Sequence, residues 1–67
     1  MSVARVTEII SSSKKGFDDA VQAGVKRATK TLKNVMTVWV ASQELVIKDD
    51  KIVDYRVRLK VTFLLTK

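Results

Sequence analysis

Very few of the 67 side chains have the types and spacing that chemistry requires. The chain contains no Cys and no His. That removes a thiol nucleophile, a disulfide framework, the usual zinc sites and the commonest acid–base catalyst near neutral pH. Ser11, Ser12 and Ser13 are consecutive, but a serine hydroxyl is a weak nucleophile without a base beside it. Ser13 reads instead as a helix N-cap. Asp49, Asp50 and Asp54 fall short of a calcium loop, which needs more oxygen ligands at set spacing, and they read as a polar turn. Glu8 interrupts an apolar strand face and is the one candidate for a buried catalytic acid. An enzyme is therefore not expected. Two features favour binding. Trp39, the single Trp, offers a stacking surface for a planar ligand or an anchor for a subunit interface. Arg56, Arg58 and Lys60 alternate along one segment, and Lys14, Lys15, Lys26, Arg27, Lys30 and Lys33 add a second basic region. With a net charge of +6 and a pI near 10.0, a basic nucleic-acid-binding module is a third reading. No RNA-binding aromatic motif, helix-turn-helix or basic tail supports it, so a solvated or interface-lining basic face is the plainer expectation.

Four elements must position these residues. Residues 3–10 are rich in β-branched types and predict a strand, broken by the serines at 11–13. A helix over about 14–33 comes next, with Phe17, Ala20, Val21, Gly24, Val25, Ala28, Leu32 and Val35 at three-and-four spacing. Asp18 and Asp19 near its start and the lysines near its end suit the helix dipole. Residues 36–47 are β-rich with apolar types on both faces, and Lys48-Asp49-Asp50-Lys51 predicts a hairpin turn. The last strand alternates cleanly, Tyr55, Val57, Leu59, Val61, Phe63 and Leu65 against Arg56, Arg58, Lys60, Thr62 and Leu64. The fold class is thus α+β, a single domain over residues 1–67 with βαββ order. One helix covers one face of a three-stranded antiparallel sheet. The uncovered face is expected to carry Thr37, Trp39, Ala41 and Gln43 beside Arg56, Arg58 and Lys60.

A chain this short buries only about 60% of its unfolded surface, and without disulfides or metals the remaining source of stability is oligomerisation. No apolar run approaches the ~20 residues of a membrane span, and no N-terminal segment resembles a signal peptide. No membrane partner and a cytoplasmic location are expected.

The order of elements, together with Phe17-Asp18-Asp19-Ala20-Val21-Gln22 opening the helix, Lys30-Thr31-Leu32-Lys33-Asn34-Val35 closing it and Tyr55-Arg56-Val57-Arg58-Leu59-Lys60-Val61-Thr62-Phe63 in the last strand, resembles the dodecins. The resemblance spans nearly the whole chain. It implies a hollow homododecamer that binds and holds a flavin, FMN or riboflavin, without catalysis. It also implies where ligand contacts would lie, and there the residues depart from the pattern. The stacking Trp expected three residues after Asn34 is Thr37. The Gln expected after Tyr55 is Arg56. The Arg-Gly of many bacterial members is Glu44-Leu45. Trp39 lies two residues beyond the expected Trp, on the same strand face and displaced by about 6.8 Å. The candidate ligand-binding residues are accordingly Trp39, Arg56, Thr37, Gln43 and Glu44, with Trp39 and Arg56 expected to form an altered pocket for a planar ligand, neutral or anionic. Arg56 and Arg58 are expected to find carboxylate partners among Glu8, Glu44 and Asp54. The alternative is a flavin-free structural or ion-binding shell, with Glu8 or Glu44 repeated around a symmetry axis.

Overall fold

The clean alternation of the last strand decides the architecture. In the computed structural model, which describes residues 2–65, the chain runs β1 (Ala4–Ser13), α1 (Phe17–Thr31), β2 (Val35–Lys48), β3 (Lys51–Leu64). β3 is central in a three-stranded sheet ordered β1-β3-β2, antiparallel throughout. This is the expected α+β arrangement with βαββ order.

One face of β3 forms the core. Val57, Leu59 and Val61 are fully buried, and α1 lays Ala20 and Ala28 over them. Small residues at four-residue intervals let the helix come close. At Gly24 a Cβ would stand 2.5 Å from Leu59 Cδ1 and 3.1 Å from Ser11 Cβ, so only glycine fits unstrained. Ile9, Phe17, Val21 and Val38 complete the packing. Phe17 meets Tyr55 edge-to-face, with ring centroids 5.2 Å apart and planes at 84°, the geometry the ring quadrupoles favour.

Two element boundaries differ from the sequence reading. β1 runs through the serines to Ser13, because Ser11, Ser12 and Ser13 pair with Val57, Arg56 and Tyr55; ladder hydrogen bonds to a central strand outweigh serine's weak strand preference. The helix spans Phe17–Thr31 rather than 14–33, and Ser13 is not its N-cap. Gly16 occupies that position without a side-chain cap. The Ser13 hydroxyl instead donates to Asp19 Oδ2 at 2.6 Å and accepts from the Lys15 N–H at 3.0 Å, pinning the connecting loop. At the other end the Leu32 N–H donates to the Ala28 carbonyl at 2.8 Å. Asn34 (φ 64°) then turns the chain through the left-handed region, which Asn tolerates better than most residues.

The β2–β3 hairpin outruns its partner strand. β1 pairing ends at Ser13–Tyr55, whereas β2 and β3 stay paired to Lys48–Lys51. Asp49 (φ 52°) and Asp50 (φ 63°) make the two-residue turn, the left-handed pair that matches strand twist. On this overhang Ile47, Ile52 and Val53 are exposed. The chain is consequently long and thin, 50 × 18 × 14 Å, with a radius of gyration of 13.8 Å, where about 11 Å is usual for this length. Among the described residues no helix is long and apolar enough to cross a membrane.

Candidate ligand-binding face

The sheet face turned away from α1 collects most of the candidate residues, and two irregularities in β2 determine which. The ladder between β2 and β3 shifts register between Val35 and Thr37 and again between Val40 and Ser42. Each extra residue reverses the alternation of the residues beyond it. Thr37 therefore pairs with Thr62 and Trp39 with Lys60, while beyond Ala41 it is Ser42 and Glu44 that pair with Arg58 and Arg56. Gln43 pairs with the buried Val57 and lies on the helix side. The expectation that Ala41 and Gln43 share the open face is thus corrected: Ala41 falls in the irregularity and Gln43 is turned over by it. Trp39, Thr37, Glu44 and Arg56 do share a face.

That face is organised in cross-strand rows. Val6, Thr62 and Thr37 form one, and Glu8, Lys60 and Trp39 the next. Beyond these stand Ile10, Arg58 and Ser42, then Ser12, Arg56 and Glu44. Trp39 is 63% exposed, and the Lys60 ammonium stands 5.2 Å from the centroid of its ring, within cation–π range. Glu44 Oε1 lies 3.8 Å from Arg56 Nη1 and 3.9 Å from Arg58 Nη2, with all three side chains about half exposed. Arg56 and Arg58 thus meet one of their expected partners. At such exposure these ion pairs contribute little stability, so their significance is the charge pattern they set.

The face can stack a planar molecule on the indole with the polar groups of Lys60, Arg56 and Glu44 on the same side, while Val6 and Ile10, both exposed, stand across β3 from it. It is open in one chain. The hollows of the single subunit lie around α1 instead; one of about 520 Å³ between α1 and β1 is lined by Ile9, Ile10, Gly24, Arg27, Ala28 and Leu32 among others. These hollows around α1 are lined by none of the candidate residues. Among the described residues no three of Asp, Glu, His and Cys come together as a metal site. Arg58, Lys60 and Ser42 belong to the face but were not among the ligand candidates. The alternation of β3 already places Arg58 and Lys60 there; nothing in the sequence marks the irregularity that brings Ser42.

The chain is a βαββ subunit with one face of its three-stranded antiparallel sheet on the helix and the other face open. The Dodecin family model matches residues 3–66, and the chain belongs to that family. It is similar to the dodecin from Streptomyces davaonensis, with 33% identity over 98% of this chain and 97% of that one and a TM-score of 0.89. A tryptophan-to-phenylalanine mutant of the T. thermophilus dodecin matches with 30% identity over the whole of both chains and a TM-score of 0.90. The calcium dodecin of Mycobacterium tuberculosis, described as calcium-chelating with a novel calcium-binding site, shares 26% identity over 97% of this chain and 93% of that one, with a TM-score of 0.85. No curated protein sequence matches the chain.

Proposed function

We propose that this dodecin works as a hollow homododecamer in the cytoplasm, binding a planar small ligand of the flavin class and holding it without transforming it. The observation that carries the reading is the open sheet face, where Trp39 is 63% exposed and Val6 and Ile10 are exposed across the central strand. Large apolar side chains gathered on one face mark a surface that is covered in use. A second subunit supplies the cover, and the indole between them supplies the stacking surface. The family's habit of enclosing flavin agrees with this chemistry. The altered residues Thr37, Glu44 and Arg56 move the stacking partner to Trp39 and change the polar surroundings. Among the described residues, no side chain on the face is a nucleophile activated by a His, which agrees with holding rather than turnover.

The test is the native mass together with the absorption spectrum and a fluorescence titration of Trp39. Twelve subunits of 7.5 kDa give a particle of about 90 kDa. Riboflavin or FMN at micromolar concentration should quench the single Trp. A monomer, or an assembly whose emission neither ligand alters, refutes the proposal. A colourless dodecamer that loses thermal stability on chelation would be the ion-binding shell instead.

A further inference from the structure

The open face is electrically unlike the rest of the chain. Over the rows from Asp54 to Thr62 it carries Arg56, Arg58 and Lys60 against Glu8, Glu44 and Asp54. Three cations face three carboxylates, so this face is formally neutral in a chain of net charge +6. Glu44 is central to the balance. One of its oxygens is shared between two guanidiniums, 3.8 Å from Arg56 and 3.9 Å from Arg58. It reaches them only because the register shift between Val40 and Ser42 turns residue 44 from the helix side to the open side. Lys60, the third cation of the face, is placed over the indole and pairs across the sheet with Glu8.

From this we infer that Glu44 sets the charge class of the ligand. Its carboxylate occupies the space between Arg56 and Arg58, so the face accepts an uncharged planar molecule and rejects the same molecule carrying a phosphate. The inference rests on the proposed stacking site at Trp39 and narrows its ligand. A phosphate reaching for the two arginines meets a carboxylate already between them. It must displace that carboxylate or tolerate like-charge repulsion at short range, and juxtaposed like charges suppress wrong partners. The dimension along the strand fits. Trp39 and Ser42 pair with Lys60 and Arg58 in successive rows, about 7 Å apart, so a short charged tail on a ring stacked at Trp39 ends among Arg58, Arg56 and Glu44. The same geometry turns the alternating basic residues of β3 away from a nucleic-acid role, since their charge is balanced on their own face.

Riboflavin and FMN share a ring and differ by the phosphate, which makes them the probes. Each is titrated against Trp39 fluorescence in the native assembly and in the Glu44→Gln assembly, at low and moderate salt. The natural protein should prefer riboflavin by roughly tenfold, and Glu44→Gln should shrink that preference by about the same factor, most strongly at low salt. A parallel arm needs no ring. Inorganic phosphate should raise the melting temperature of the Glu44→Gln assembly and leave the natural protein's unchanged. Glu44→Ala repeats both arms if the glutamine variant assembles poorly. An unchanged riboflavin-to-FMN ratio, or equal stabilisation of both proteins by phosphate, overturns the inference. Quenching by neither ligand combined with phosphate selectivity for the variant overturns the flavin reading alone and leaves the exclusion of anions supported.

Discussion

Gly24→Ala is the sharpest test of how the helix sits on the sheet, because two known effects oppose each other there. Alanine is favoured over glycine inside a helix by about 0.8–1.0 kcal/mol. Against this, the new methyl group would meet Leu59 Cδ1 at 2.5 Å and Ser11 Cβ at 3.1 Å. Leu59 is fully buried, so its end cannot swing into solvent to make room. Overpacking of this kind costs typically 1–3 kcal/mol. The balance runs from near zero to a net destabilisation of about 2 kcal/mol, which for a domain of this size lowers the melting temperature by up to roughly 15 °C. Thermal and urea unfolding of both proteins should be followed at one fixed chain concentration, since the proposed assembly would couple stability to concentration. A second background makes the reasoning exposed to refutation. In Leu59→Val the offending methyl is gone, and there Gly24→Ala should become neutral or stabilising by up to about 1 kcal/mol. If Gly24→Ala stabilises the natural protein, or destabilises both backgrounds equally, the close approach of α1 to β3 is not what selects glycine.

Three further outcomes are expected. Asp50→Gly should stabilise the hairpin by up to about 1 kcal/mol in urea unfolding, since Asp50 sits at φ 63° where glycine is at ease. Ser13→Ala should cost about 1–2 kcal/mol in the same assay, because it removes both the 2.6 Å bond to Asp19 and the acceptor for the Lys15 N–H. Asp19→Asn, which keeps an acceptor for the hydroxyl, should cost less. Lys60→Met should change stability by no more than about 1 kcal/mol, as an exposed cation–π contact does, yet shift the Trp39 emission, because the ammonium 5.2 Å from its ring is gone.

The parts of the fold that were legible in the sequence are those where one physical signal acts alone. The last strand alternates without interruption, and its Val57, Leu59 and Val61 are buried as that alternation demands. The helix face of Ala20, Gly24 and Ala28 comes directly from three-and-four spacing. Boundaries were less legible. The triple serine looks like a break by propensity, but pairing with the central strand continues through it to Ser13. The candidate face was half legible. Trp39 and Arg56 fell together because only the first part of β2 had to be read correctly to place them. Gln43 was misplaced because the register shift before Ser42 has no marker: Val40-Ala41-Ser42 contains neither the Gly nor the Pro that often accompanies a bulge. The bridging by Glu44 depends on that shift, so it became visible only with the structure.

The second irregularity in β2, at Ala41, also divides the strand beyond Met36 into two segments whose alternation is out of phase. Before it, odd-numbered residues such as Thr37 and Trp39 look outward; after it, even-numbered ones such as Ser42 and Glu44 do. The surface that would meet a ligand is therefore written in two independent frames along one strand. Loss of Ala41 would leave both frames in place, since Ser42 would still stand opposite Arg58. Loss of Gln43 would bring Leu45 to the row of Arg56 in place of Glu44, while Trp39 keeps its position. A one-residue length change can thus be silent or can rewrite the polarity of half the face, depending on which side of the phase break it falls. The buried side of β3 is untouched in either case, a route by which chains sharing this fold could diverge in the surface they present.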